Sequence, residues 1–89
     1  MTSESNFSDR VASELNRARA KHTKMTSSHE AYAVILEELD EFWDAVKSDA
    51  NLSTAGRSAM VDELVQIAAM CQRAAEDVFP GCVSWMSRD

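Results

Sequence analysis

Glycine and proline punctuate this chain at only three positions, Gly56, Pro80 and Gly81. So few backbone breakers exclude a β-sandwich or barrel, whose many turns need such residues at regular spacing. Ala, Glu, Met and Leu are abundant, and all are strong helix formers. No window alternates apolar and polar residues for long. The chain therefore reads as all-α: a small bundle of about three helices completed by oligomerisation. Its 89 residues make one domain. A chain this short buries only about 60–65% of its unfolded surface, so a second copy adds much to its core.

Helical periodicity and capping residues divide the chain. Residues 1–6 read as a disordered leader, 7–80 as the helical domain and 81–89 as a tail. Ser8 is placed to cap a first helix over 9–24, with Phe7, Val11, Leu15 and Ala18 at helical spacing. Ser27 and Glu30 form a capping-box pattern that starts a second helix over 28–48. Its stripe is Tyr32, Ile35, Leu39, Phe42 and Val46. A third helix over 54–78 carries Met60, Leu64, Ile67, Cys71, Ala75 and Val78 on one face, and Phe79-Pro80-Gly81 stops it. Val61, Val65, Ala68 and Ala69 widen that face. A helix apolar over so much of its circumference is buried on several sides, either in an oligomer built through this helix and the Trp85-Met86 tail or in a monomer whose tail folds back over the helix.

The formal net charge is −6, from 9 basic and 15 acidic side chains. A pI near 4.8 argues against general nucleic-acid binding, which needs a basic face. It leaves phosphate chemistry open, because carboxylates recruit divalent cations that bind phosphate. The longest apolar run, Ala31 to Leu36, is too short to span a bilayer, and Met1 to Asp9 holds no signal-peptide core. Cys71 and Cys82 make no disulfide framework, so the expectation is two reduced thiols in a cytoplasmic protein without membrane contact.

The informative stretch is Glu37-Glu38-Leu39-Asp40-Glu41. With Leu39 at zero on a wheel of about 100° per residue, Glu38 and Glu41 fall about 60° apart on one flank of the stripe. Around Leu64, Glu63 and Gln66 take the same offsets. If the two helices pack along these stripes, both pairs project into one site beside the seam. Such a cradle suits Mg²⁺, which takes oxygen ligands together with waters and substrate phosphates. Carboxylates this close repel one another, so the site wants a cation. The plainer reading is a solvated charged face. No Glu-x-x-His pair supports a di-iron bundle, and His22 and His29 fit no zinc pattern.

Basic residues gather in the first helix instead. Arg17, Lys21 and Lys24 recur at spacings that share a face. With Lys47 they are candidates for substrate phosphate, set against simple ion pairing between helices. Arg73 is a further candidate. Tyr32, Phe42, Trp43 and Trp85 are candidates for contact with a base, each also suited to a core or an interface.

These residues resemble the MazG-like branch of the all-α nucleoside triphosphate pyrophosphatases. That family's signature is Glu-Glu-x-x-Glu followed, after a gap, by Glu-x-x-Asp. Glu37-Glu38-x-x-Glu41 matches the first part, and Asp62-Glu63-Leu64 begins the second at a suitable distance. The resemblance covers residues 28–78. It implies hydrolysis of a (deoxy)nucleoside triphosphate to the monophosphate and pyrophosphate, Mg²⁺ or Mn²⁺ as cofactor, and a homodimer or homotetramer. By position it implies Glu38, Glu41 and Glu63 as metal ligands, with Glu37 orienting or activating the attacking water.

One position departs from the pattern. Gln66 stands where the family has aspartate, offering a neutral carbonyl oxygen to the metal and removing one negative charge. Three readings follow: Asp62 compensates, the enzyme runs with fewer ions, or the domain keeps binding without catalysis. The alternative to an enzyme is therefore a catalytically weak or inactive helical oligomer that binds nucleotide or a protein partner.

Overall fold

The computed structural model describes residues 6–49 and 53–83. Among them are four helices and no strand: α1 (Phe7–Lys21), α2 (Ser28–Ser48), α3 (Thr54–Val78) and the short α4 (Pro80–Val83). The chain is all-α, and among the described residues no helix is long and apolar enough to cross a membrane. Trp85, Met86 and residues 1–5 of the expected leader lie outside the described residues.

Side-chain caps set the helix starts. Asn6, not Ser8, caps α1: its Oδ1 accepts from the Asp9 backbone N–H at 2.8 Å, so the helix starts two residues early. Asn6 thereby belongs to the helical unit rather than to the leader. Ser27 Oγ accepts from the Glu30 N–H at 3.0 Å, as the capping box predicts. The return arm is shifted by one residue, because Glu30 Oε1 accepts from the N–H and hydroxyl of Thr26. Ser53 caps α3 and donates to Asp49 Oδ1 from both its N–H and its hydroxyl, joining the end of α2 to the start of α3. Phe79 ends α3 as expected, and Pro80, suited to a first helical turn, opens α4.

α1 stops at Lys21, short of Lys24, because the chain must turn to bring Met25 inward. Met25 is only 2% exposed, and its N–H donates to Asp77 Oδ2. The Asp77 side chain is 1% exposed and also accepts from Arg19 at 2.7 Å. Arg73 donates to the Thr23 carbonyl at 2.8 Å and lies beside Asp77. These bonds fasten the end of α1 and the loop after it to the last turns of α3.

α3 is the central helix. α1 and α2 each pack on it and, among the described residues, not on one another. The core is Leu15, Ala18, Met25, Ala31, Ala69, Met70 and Ala74, with Val11, Val34, Ile35 and Val78 packed against it.

This arrangement corrects the expected faces. On α2, Ala31, Ile35, Glu38, Phe42 and Ala45 turn inward, a face rolled about 80° from Leu39. Tyr32 and Leu39 of the expected stripe are exposed. On α3 the buried residues Val65, Ala69, Met70, Arg73 and Ala74 centre close to 180° from Leu64. Leu64 and Cys71 face out. Helices approach most closely over small side chains, so Ala69 and Ala74 mark the seam, with Val65, Met70 and Arg73 buried beside them.

Candidate metal centre

The roll of α2 carries Glu38 from the flank to the middle of the buried face. Glu38, Glu41 and Glu63 each offer a carboxylate oxygen, and these atoms lie within 4.8 Å of one another. The seam thus runs through the acidic residues rather than beside them. Glu38 and Glu63 are half-buried and Glu41 is exposed, so the cluster is open on one side.

Electrostatics show what the cluster lacks. Glu38 is pushed up to about 7, first by burial and then by the charges of Glu41, Glu63 and Glu37. Burial, followed by Glu41, also raises Glu63. One carboxylate oxygen on each of Glu38 and Glu63 is buried with no hydrogen-bond partner. Buried polar atoms nearly always have partners, and each exception calls for an explanation such as an ion. An all-oxygen donor set of three carboxylates fits a hard divalent cation.

Because α1 and α2 stand apart, a groove of about 370 Å³ opens between them, with α3 as its floor. Glu37 and Glu38 lie on its α2 wall, and Arg17 and Lys21 on its α1 wall. Gln66 and Met70 form part of the floor. From Glu38 to Glu30 the α2 wall runs about 12 Å at 1.5 Å per residue. A metal-capable cluster therefore adjoins a groove with a cationic wall.

Most other candidates fall elsewhere. Lys24 lies beyond the end of α1, so it shares no helix face with Arg17 and Lys21, and it is exposed away from the groove. Lys47 pairs with Asp44 at 3.5 Å and sits over the Trp43 ring, at the far end of α2. Asp62, a candidate to compensate for Gln66, pairs with Arg10 across the α1–α3 seam. Arg73 lines the groove on the α3 side, but it is buried and occupied by Thr23, Asp77 and Met70, so its bonds serve the fold. Tyr32, Phe42 and Trp43 do not line the groove.

Glu14 was not singled out by the sequence and belongs to the groove. It holds Arg17 by hydrogen bonds of 2.7–3.1 Å. Its signal in the sequence is the spacing of three to Arg17. No protein-family model, no curated protein and no solved structure matches this chain, so the geometry of these side chains carries the functional reading.

Proposed function

We propose that the chain is a Mg²⁺- or Mn²⁺-dependent nucleoside triphosphate pyrophosphohydrolase, converting a (d)NTP and water to (d)NMP and pyrophosphate. The observation that carries this reading is the convergence of Glu38, Glu41 and Glu63 with two orphaned buried carboxylate oxygens, beside a groove with a cationic wall. These three residues would hold the ion, with Gln66 on the groove floor as a neutral oxygen donor next to them. A bound divalent cation neutralises phosphate charge and lowers the pKa of coordinated water.

The chain's own residues do the rest. Arg17 and Lys21 set positive charge along the wall facing the acidic cluster, where a polyphosphate would lie. Glu37 is exposed in the groove next to Glu38 and would accept the proton of the attacking water. Water then adds to the α-phosphorus, the α–β phosphoanhydride bond breaks, and pyrophosphate leaves with the bridging oxygen.

On the same reading the protein is a cytoplasmic homodimer or homotetramer. Tyr32, Leu36, Leu39 and Trp43 make an exposed apolar stripe along α2, and Val61 and Leu64 are exposed on α3. Tyr32 is 68% and Trp43 55% exposed. Such an uncovered stripe on a small chain suits a second copy. Cys71 and Cys82 are free thiols, in keeping with a reducing compartment.

The test is pyrophosphate release from a panel of nucleotides with Mg²⁺ or Mn²⁺. Release is expected, and Glu38→Ala and Glu41→Ala should abolish it while the helical signal persists. No release at high concentration of folded protein rejects the enzyme. Gln66 and the apolar stripe favour one other reading, a silent oligomer that binds nucleotide. Calorimetric binding of nucleotide with Mg²⁺ but without turnover selects it.

A further inference from the structure

Two cavities meet at one ion pair. A second cavity, of about 420 Å³, lies between α1 and α3. It shares Glu14, Arg17 and Gln66 with the groove, so these three side chains form the partition between the two. Arg17 grips Glu14 through one edge of its guanidinium. Nε donates to Oε1 at 3.1 Å, and Nη2 to Oε1 at 2.7 Å and Oε2 at 2.9 Å. Nη1 donates to no group among the described residues. The Glu14 side chain is 13% exposed and that of Arg17 60%, so the acid sits in the wall and the base reaches outward.

The pair joins residues three apart on one helix, and only its Arg17 end is open to solvent. A phosphate group can make the same kind of charge-assisted, bidentate contact to the guanidinium that Glu14 makes. Glu14 therefore competes for the group a phosphate chain would use, and its own charge repels an anion entering the groove. Gln66, the third member of the partition, is neutral and adds no repulsion.

We propose that the Glu14–Arg17 pair is a polyphosphate latch. In the ligand-free protein Glu14 occupies the guanidinium; a metal-bound polyphosphate takes Glu14's place and extends from the groove into the second cavity. This rests on the reading that the groove accepts a metal-bound polyphosphate. It makes Glu14 a specificity-determining residue. A chain long enough to reach both the acidic cluster and Arg17 opens the latch, and a single phosphate does not.

The test is calorimetric binding of tripolyphosphate and of inorganic phosphate, with saturating Mg²⁺, to the full chain and to Glu14→Gln, Arg17→Gln and the double variant. Glu14→Gln is expected to bind tripolyphosphate about three- to tenfold more tightly, as fits the loss of one nearby like charge and of a competing partner. Arg17→Gln is expected to bind about tenfold more weakly. The double variant should match Arg17→Gln, because the gain requires the freed guanidinium. Inorganic phosphate should bind weakly to all four proteins. Circular dichroism reads folding throughout, and Glu14→Ser should repeat the gain. The latch is overturned if Glu14→Gln binds no more tightly than the parent, or if its full gain survives without Arg17. Parent binding with no Glu14 effect removes the latch alone. Failure of every protein to bind tripolyphosphate removes the latch and the groove's reading together.

Discussion

Glu38 carries its carboxylate half-buried among other carboxylates, and its proton reports on them. Its folded-state pKa of about 7 stands above the ordinary 4.5. Between those values the folded chain holds a proton that the unfolded chain has released. Stability without metal should therefore fall as pH rises through this window and level off above it. Glu63 is raised as well and adds in the same sense. Denaturant melts at a series of pH values check this, and Mg²⁺ or Mn²⁺ should remove the loss above pH 7. A metal-free profile flat from pH 5 to 8 would contradict it. Metal affinity should climb over the same window, because the ion displaces the Glu38 proton. Glu38→Gln should raise the metal-free melting temperature at pH 8, since it removes a repelled charge, and should end the response to Mg²⁺. Its cost in turnover should exceed the about 10–100-fold typical of losing a partner outside the ligand shell. The residue types of this site were legible in the sequence as spaced acids. Which oxygens lose their water was not, because that depends on how far α2 rolls.

Among the elements, α3 has the hardest task, supporting α1 and α2 at once. Its apolar residues spread around the cylinder for that reason, and a wheel weighted by large side chains selects the wrong face. Leu64 and Cys71 look like core and lie outside, while Ala74, which the expected face omits, joins Ala69 in the seam. The start of α2 was legible from the Ser27–Glu30 pattern, whereas at α1 Asn6 caps in place of Ser8. Ser27→Ala should cost about 1 kcal/mol in a denaturant melt. The clamp around Asp77 was hidden, because its partners Arg19, Met25 and Arg73 are distant in sequence. Burial pushes the Asp77 carboxyl up, but bonds from Arg19 and Met25 overrule it and hold it below the usual range. Its contribution is present at neutral pH and is lost as pH falls through that lowered value. Asp77→Ala should destabilise by about 3 kcal/mol, since it strands Arg73 as an unpaired buried charge. A loss much below 1 kcal/mol would show that solvent reaches the clamp.

At the scale of the whole molecule, the apolar stripe on α2 is the feature a single copy leaves open. Leu39→Glu should shift sedimentation to the monomer and leave the helical signal in place. A parent that sediments as a monomer at every concentration would remove the assembly from the proposal. The sequence by itself determined that the chain is helical and where its acids cluster, because propensity, caps and spacing act within a few residues. It also placed α2 and α3 between the correct ends. Only the tertiary structure decided which face of each helix is inside, that Glu38, Glu41 and Glu63 meet, and that Glu14 and Arg17 stand at the junction of two cavities. Those outcomes depend on the roll and register of packed helices. Both are set by close fitting of side chains far apart in the chain, and periodicity along one helix carries no record of them.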